Sequence, residues 1–551
     1  MGRLTMPLPR LTTAMGPAPW LLALWAVLVE LLGRRLFPNW DVSYALYGAR
    51  FTMERGGPWM NVWPGMDLLL GGLGRLLGQP EAALTLVGVL LNVAATLVVW
   101  GLFRHLGADR RQGLLAALAT GLWFKPPLGG WIGDHLSFSV ALAPALGLAL
   151  ARGRWTAAQG VLSGCCLAVA LTLKLNNSGP GLLLSGLWMA AVLLAGGGRR
   201  LTLRGVLPIG LAAAATALLL DRLAGLAGGL YPRIAATYGA VLASQASSQA
   251  APWRLLLLPL QINPVEAISE GQGGVLLFLP LVAAFWLALA WSVRRLGRPG
   301  DHRLRHATAL LLLLASALVG LSLGRGLTHR LFLLPAGLLL SAVDLPLPPS
   351  RRWLPGALLL AWLTALWLSF AWVQRQLERT ALYDSRLLLA DPTPTVLCLG
   401  ATTPAPAGAR VLRAEALPGA RPADRRCFAG GDLRRHIAGV VDVQELANAL
   451  GASYPNQTIG AGDFREKWDW RQATPQGRRA WVQSEAARIN ALQLPYLVER
   501  LPLNAVEVAI PGYGGWRAPR LEQRRRLAEA TGGTAIGRLG ELTLWRTRWA
   551  P

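Results

Sequence analysis

Apolar stretches separated by short polar connections fill the first two thirds of the chain. Eleven of them approach or exceed the length that a helix needs to cross about 30 Å of hydrocarbon, and two or three are short, so the count holds to within two. The pattern predicts a polytopic α-helical membrane protein with about 11 transmembrane helices, the first one a signal anchor. The predicted spans are 18–34, 82–103, 112–125, 136–151, 156–173, 179–197, 205–225, 273–293, 307–323, 331–344 and 354–373.

From about residue 385 the pattern becomes that of a soluble domain. Buried strands are predicted at 395–400 and 504–510, a helix at 521–530 that ends at Gly532 and Gly533, and a last strand at 541–546. We therefore divide the chain into a membrane domain, 1–374, and a small α/β domain, 375–551. Cys398 and Cys427 lie in the second domain; they form a disulfide only if that region is extracytoplasmic, and the sequence leaves this open. Cys165 and Cys166 are interpreted as small packing residues.

The composition excludes an ordinary soluble enzyme and a disordered chain. Hydrophobic residues make up 53% of the chain and charged residues 15%, where about 25% charged residues is usual. The net charge of +25 would by itself suggest nucleic acid, but the positions of the cations contradict that reading. Residues 1–374 hold 29 Lys and Arg, of which 17 lie on alternate connections between spans. These are Arg3, Arg10, Arg104, Arg110, Arg111, Arg152, Arg154, Arg199, Arg200, Arg204, Arg294, Arg295, Arg298, Arg303, Arg305, Arg351 and Arg352.

This charge distribution predicts the topology. Short loops rich in Arg remain in the cytoplasm, so the N-terminus is predicted inside and the C-terminal domain outside. The excess of Arg over the three Lys is typical of a GC-rich bacterium, and we expect an inner (plasma) membrane location with no nucleic acid partner. The opposite face carries three longer loops, at about 35–81, 125–135 and 226–272, where a membrane enzyme would hold its chemistry.

The first outer loop has a recognisable order of features. An acid, Asp41, follows the first span, and Tyr44, Tyr47 and Phe51 follow at helical spacing, which predicts an interfacial amphipathic helix. A Gly-Gly-Pro break at 56–58 and an aromatic-Pro turn lead to a second amphipathic helix at about 65–77.

That order resembles the first loop of GT-C glycosyltransferases, and it is similar in particular to bacterial members related to protein mannosyltransferases and aminoarabinose transferases. The resemblance implies that Asp41 is the catalytic base or lies beside the acceptor. Tyr44 and Glu54, on the same loop, are assigned to substrate binding. The chain departs from the family pattern at Val42, where relatives often have a second acid, and at 63–67, where WPGMD replaces a Lys-Pro-Pro turn.

Two further segments extend the resemblance. Asp134, in the second loop, corresponds to a second family acid with a catalytic role, although a helix N-cap would also favour Asp there. His135 is interpreted as an interfacial polar residue. Lys174 is a candidate substrate-binding cation, and Lys125 is a weaker one. The stretch 324–340 resembles a family motif before a late span. Its cations are assigned to a lipid phosphate, with a snorkelling Arg as the alternative; they are Arg325, His329 and Arg330.

The resemblance implies inverting sugar transfer from a polyprenyl-phosphate-linked donor at the outer membrane face. The acceptor class stays open between a glycan, a lipid and a protein. Membrane lipids are expected to contact the helices. No cofactor is required by any motif, and a divalent cation (Mg²⁺ or Mn²⁺) held by Asp41 and Asp134 stays open. The segment 226–272 is interpreted as a mobile cover or a flexible connection.

Two other function classes compete with the enzyme. The first is a membrane transporter or flippase of lipid-linked glycans. The second is a polymer-assembly protein whose C-terminal domain binds glycan. Transporters place ionisable groups near the membrane midplane, whereas the unusual charges here cluster at one face, which favours the enzyme.

Overall fold

A computed structural model describes most of the apolar helices and part of the C-terminal region. The predictions that fall on other residues lie outside what it describes. The described residues are 16–36, 48–49, 52–53, 64–125, 132–195, 203–226, 228–235, 279–298, 302–321, 332–378, 395–408, 410–429, 475–491, 495–499, 525–526, 528–539 and 542–550.

Apolar α-helices dominate the described residues up to 378. Each of the eleven predicted apolar stretches corresponds to one helix, and the amphipathic helix predicted at about 65–77 is confirmed as the helix Pro64–Leu77. The helices are α1 Ala18–Leu36, α2 Pro64–Leu77, α3 Pro80–His105, α4 Arg110–Phe124, α5 Ile132–Leu150, α6 Ala157–Thr172, α7 Leu175–Ala195, α8 Leu203–Ala224, α9 Leu279–Leu296, α10 His302–Leu321, α11 Leu334–Ala342 and α12 Leu354–Glu378.

Within the described ranges, 4 helices are long and apolar enough to cross a membrane by themselves. Shorter apolar helices occur at Ala18–Gly33, Ala157–Thr172 and Ser178–Leu194. The count of 11 crossings therefore stays a prediction. The four long segments are Pro80–His105, Gly133–Leu150, Val206–Ala224 and Leu279–Leu296.

The apolar stretch 331–344 differs from the prediction of a full-length spanning helix. Its helix, α11, has 9 residues, which corresponds to about 14 Å at the usual rise and is too short to cross alone. Residues 334–341 are all buried, and a Cβ on Gly337 would lie 3.1 Å from the backbone nitrogen of Leu313 on α10. A run of apolar residues indicates burial in protein as well as contact with lipid, and the sequence pattern does not separate the two.

A buried amide joins the first helices of the bundle. The Asn92 side-chain nitrogen on α3 donates to the carbonyl of Ala26 on α1 at 3.2 Å and to that of Gly121 on α4 at 3.1 Å. The Trp25 indole also donates to the carbonyl of Leu118 at 3.1 Å. Since hydrogen bonds between apolar helices fix their relative register, the neighbouring ends of α1 and α4 are held together.

Helix α8 lies at the periphery, where its leucines are exposed. Leu211, Leu218 and Leu219 are more than half exposed, as expected for side chains that face lipid rather than protein. The opposite face packs closely on α6, where a Cβ on Gly164 would overlap the carbonyl oxygen of Ile209. Small residues allow such close approach between membrane helices.

The described C-terminal residues form a mixed sheet with the order β3-β1-β2-β5-β6-β4. Strands β1 and β2 are parallel and the other pairs are antiparallel. The edge strands β3 and β4 approach each other. The Phe428 and Tyr496 ring centroids lie 5.1 Å apart, and both rings belong to the same hydrophobic core. The strands are β1 Thr395–Leu399, β2 Arg410–Ala416, β3 Cys427–Ala429, β4 Tyr496–Glu499, β5 Thr534–Leu539 and β6 Leu542–Arg546.

The sequence predicted part of this region. The predicted strands at 395–400 and 541–546 correspond to β1 and β6. Residues 525–526 and 528–530 are helical, and Gly532 ends that segment at a φ of 77°, a left-handed conformation that favours glycine. The strand predicted at 504–510 lies outside the described residues, and helix α13, Pro475–Ala491, was not predicted. The division at 374/375 stays a prediction.

Cys398 and Cys427 form a disulfide. They face each other in the register of β1 and β3, with Cα atoms 3.9 Å apart. The pairing that the sequence left open is therefore made, and disulfides persist chiefly in oxidising compartments.

Candidate active site

Ionisable side chains are buried at two opposite ends of the helical bundle. The first group, here called the Asp134 cluster, consists of Glu30, Lys125, Asp134, His135 and Lys174. The second group, the Asp344 cluster, consists of Arg295, Arg305, His306 and Asp344, with the Ser292 hydroxyl 3.3 Å from the His306 imidazole. Helix α11 separates them, since Phe332 before it contacts His135 and Asp344 after it contacts His306.

The centre of the Asp134 cluster is a buried ion pair. Asp134 lies in the first turn of α5 and is fully buried, and its carboxylate is 2.9 Å from the Lys174 ammonium. Lys174 lies in the tight turn between α6 and α7, where its backbone N–H donates to the Ser137 hydroxyl at 3.2 Å. Helix α5 therefore holds both the backbone and the ammonium group of Lys174.

His135 is buried between two aromatic rings. Its ring centroid is 4.4 Å from that of Phe124 and 4.5 Å from that of Phe332, and the residue is 1% exposed. The interfacial location predicted for His135 stays a prediction, and its ring is packed inside the protein. The two phenyl rings come from α4 and from the residues before α11, and their approach to α5 depends on tertiary packing that the sequence pattern does not reveal.

A second ion pair involves Lys125, the residue after Phe124, whose ring contacts His135. The Lys125 ammonium, just after α4, is 3.8 Å from the carboxylate of Glu30 on α1, and both side chains are almost completely buried. The aliphatic part of Lys125 lies across Gly33, where a Cβ would overlap its Cγ. The Trp367 indole donates to the Lys125 carbonyl at 3.1 Å, which fixes this turn from the side of α12.

Helix α2 connects the first loop to the same cluster. Small residues on α2 allow the helical residues 48–49 and 52–53 of the loop to lie directly against α2. A Cβ on Gly71 would overlap the Thr52 side chain. Asp67, fully buried in the first turn of α2, lies against Gly48. A Cβ on Gly65 would overlap Thr172, two residues before Lys174, so α2 also touches the turn that carries the candidate cation.

The structure brings together two of the predicted site residues, Asp134 and Lys174. The remaining predicted residues lie outside the described ranges, and their roles stay predictions. They are Asp41, Tyr44, Glu54, Arg325, His329 and Arg330.

The sequence reasoning missed Glu30 and Asp67. A single acid within an apolar helix is costly and is a recognised signal of a functional group, so Glu30 could have been found. Asp67 carries a weaker signal, because acids are common in the first turn of any helix.

Comparisons with known proteins do not assign a family. No protein-family model and no curated protein matches the chain. The cryo-EM structure of the arabinofuranosyltransferase AftD from mycobacteria is similar over 97% of this chain and 40% of that chain, with 15% identity and a TM-score of 0.39. This chain thus spans less than half the length of that protein. A similarity at this TM-score does not establish a shared fold.

The Asp344 cluster is more extensively bonded. Asp344 forms an ion pair with Arg305, and the His306 imidazole donates to its carboxylate at 3.0 Å. The Arg305 Nε also donates to the Leu106 carbonyl at 2.7 Å, and the Arg295 guanidinium donates to the Asp344 carbonyl at 3.3 Å. The hydrogen bond from His306, assisted by Arg305, lowers the pKa of Asp344 to about 2 against the effect of partial burial. These contacts join α9, α10, the end of α11 and the turn after α3.

The Asp134 cluster holds two carboxylates and two ammonium groups in pairs. The Asp134 carboxylate is paired with Lys174, so a divalent cation bound there would have to displace Lys174 or draw further ligands from Asp41. Among the residues that the structure describes, no group of three or more His, Cys, Asp and Glu side chains converges. A metal held by Asp41 and Asp134 stays a prediction.

Proposed function

We propose that the protein is an integral membrane glycosyltransferase that transfers a sugar from a polyprenyl-phosphate donor to an acceptor hydroxyl. Helix α2 of the first loop contacts Thr172, two residues before Lys174. The observation that carries this proposal is the buried Asp134–Lys174 ion pair. It supports a site at the end of the bundle where the sequence motifs that resemble GT-C enzymes belong.

In the proposed reaction Asp41 removes the proton of an acceptor hydroxyl while that oxygen attacks the anomeric carbon. The bond between the anomeric carbon and the phosphate oxygen breaks, and the electron pair leaves with the lipid phosphate. Lys174 and the cations of the 324–340 stretch, Arg325, His329 and Arg330, stabilise the negative charge on that phosphate. Asp134 positions the Lys174 ammonium. This single displacement inverts the anomeric centre.

The positions of the described charges favour an enzyme over a transporter. In the helices described, the buried ionisable side chains lie within two turns of a helix end, as for Glu30 on α1, Asp134 on α5 and His306 on α10. A transporter would place such groups near the midplane, often on broken helices.

The test is an assay of the full-length protein in nanodiscs with a panel of polyprenyl-phosphate sugars, measuring release of the lipid phosphate. We expect release with at least one donor and a loss of about 100-fold or more in Asp41→Asn. Asp109→Asn is the matched control, because Asp109 caps α4 through the Gln112 N–H at 2.8 Å and Asn caps equally well. Absence of release from every donor would overturn the proposed function, and full activity of Asp41→Asn would overturn the base assignment.

A further inference from the structure

Glu30 is a buried carboxylate whose oxygen atoms have no hydrogen-bond donor among the described residues. The residue is 1% exposed and is the one acid on α1, a helix that is apolar from Ala18 to Val29. A carboxylate offers about four acceptor positions, and buried polar atoms in native proteins are almost always hydrogen-bonded. Within the described ranges, the side chain therefore lacks the hydrogen-bond donors that would compensate its burial.

Lys125 compensates the charge of Glu30 but not its hydrogen bonds. The separation of 3.8 Å between the ammonium nitrogen and the carboxylate oxygen exceeds the usual limit of about 3.2 Å for N–H···O bonds. A hydroxyl group both donates and accepts. It can therefore donate to the Glu30 carboxylate while it accepts from the Lys125 ammonium.

Hydrogen bonds and close packing position the pair. Asn92 joins α1 to α4 one turn before Glu30, at the Ala26 carbonyl, and the Lys125 stem lies against Gly33. These contacts fix the register of the helices that carry the two groups, and the carboxylate oxygens of Glu30 keep their acceptor capacity. Support of this kind is what a binding group needs.

The pair is also adjacent to the proposed reaction site. Lys125 follows Phe124, whose ring contacts His135 at 4.4 Å, and His135 follows Asp134. From these observations we infer that Glu30 and Lys125 form a subsite that binds a hydroxyl group of the donor sugar. This inference rests on the proposed function, because the hydroxyl-bearing ligand is the sugar of the lipid-linked donor.

The experiment compares two ligands on the full-length protein in nanodiscs, without acceptor. One ligand is the polyprenyl-phosphate sugar that the wild type uses best, or each panel member in turn if none is used, and the other is the same polyprenyl phosphate without sugar. The measurement is the shift in thermal unfolding midpoint. The variants are Glu30→Gln, Lys125→Met and the double variant, which removes both charges and keeps similar side-chain lengths.

The inference predicts that the sugar-bearing lipid stabilises the wild type more than the sugar-free lipid does, and that the double variant loses this difference. The double variant should unfold near the wild-type temperature when no ligand is present, and its KM for the donor should rise about tenfold or more. If the ion pair were only structural, the double variant would regain both the stability and the KM that each single variant loses. Asp344→Asn is the control, which should unfold earlier without ligand and keep the sugar-dependent difference.

Each outcome decides the matter. If the double variant keeps the sugar-dependent difference, the subsite is wrong and the proposed function stands. If no sugar-bearing lipid stabilises or is used by the wild type, both are wrong. Should the double variant not fold, Glu30→Asp takes its place, because it keeps the charge and withdraws the carboxylate by one methylene. A sugar-dependent difference as large as that of the wild type in Glu30→Asp would overturn the subsite.

Discussion

At one end of the bundle Asp344, His306 and Arg305 satisfy one another and a backbone carbonyl, whereas at the other end Glu30 and Lys125 are buried together without a direct hydrogen bond. Both ends contain charges of both signs, which are almost completely buried in the Glu30–Lys125 pair and partly buried in the Arg305–Asp344 pair. The difference indicates that the Asp344 cluster is a structural joint between helices, while the Asp134 cluster retains binding capacity at a cost in stability. Such local conflict with the rules of stable packing is expected where a protein acts.

The largest expected effect separates the two ends by activity. Asp134→Asn removes the carboxylate that positions the Lys174 ammonium at 2.9 Å, and we expect sugar transfer to fall about 100-fold or more. Asp344→Asn, the matched change at the other end, should leave transfer within about twofold. Lipid-phosphate release measures both. Equal losses in the two variants would mean that the Asp134 cluster is no more functional than the Asp344 cluster.

The next effect separates them by stability. Asp344→Asn removes the acceptor of the His306 bond and the partner of Arg305, and the free energy of unfolding should fall by about 2 kcal/mol. Glu30→Gln with Lys125→Met should change it by less than about 1 kcal/mol, because a buried ion pair is often replaced by neutral groups without loss. Denaturant unfolding in a defined detergent checks this. A larger loss in the double variant would assign the Glu30–Lys125 pair to stability.

Acid should lower the stability that the Asp344 cluster contributes to the folded protein. The pKa of Asp344 is lowered from its ordinary 3.8 to about 2, mainly by the hydrogen bond from His306. A depressed pKa in the folded state contributes stability above the unfolded-state value, and this contribution is lost as the pH falls from about 4 to about 2. Over that range the unfolding temperature of the wild type should fall more steeply than that of Asp344→Asn. Parallel curves would show that another group controls acid unfolding.

Two glycines provide the smallest and finest comparison. Gly33→Ala would push a methyl group into the Lys125 side chain, and we expect a modest rise, about 3-fold, in KM for the donor. Gly337→Ala would bring a methyl group to 3.1 Å from Leu313 on the neighbouring helix, which should lower stability by about 1–3 kcal/mol with KM unchanged. Donor kinetics and thermal unfolding are measured for both variants. A change in KM for Gly337→Ala, or an unchanged KM for Gly33→Ala, would contradict this assignment.

The sequence predicted features that depend on local pattern. The amphipathic period of 65–77, the apolar runs and the glycine stop at 532 were each sufficient to place an element. Asp134 and Lys174 were found separately, as unusual charges near span boundaries, and the structure pairs them. Their pairing could not be predicted, because it depends on how α5 packs beside the turn between α6 and α7.

Other features have no local signal. Glu30 and Lys125 are far apart in the chain and meet because Asn92 holds α1 and α4 together. His135 reads as an interfacial residue until Phe124 and Phe332 close around it. The short helix α11 reads as a spanning segment, since apolar residues give the same pattern whether they face lipid or protein.

The sequence by itself determined that this is an apolar, helix-rich chain, with 17 of the 29 cations of residues 1–374 on alternate connections between apolar stretches, since hydrophobic period and charge position are local properties. Tertiary structure decided which charges are neighbours, which are satisfied, and whether Cys398 meets Cys427. Burial and distance arise only when remote segments pack. The chemical character of Glu30 follows from that packing and cannot be read from its place in α1.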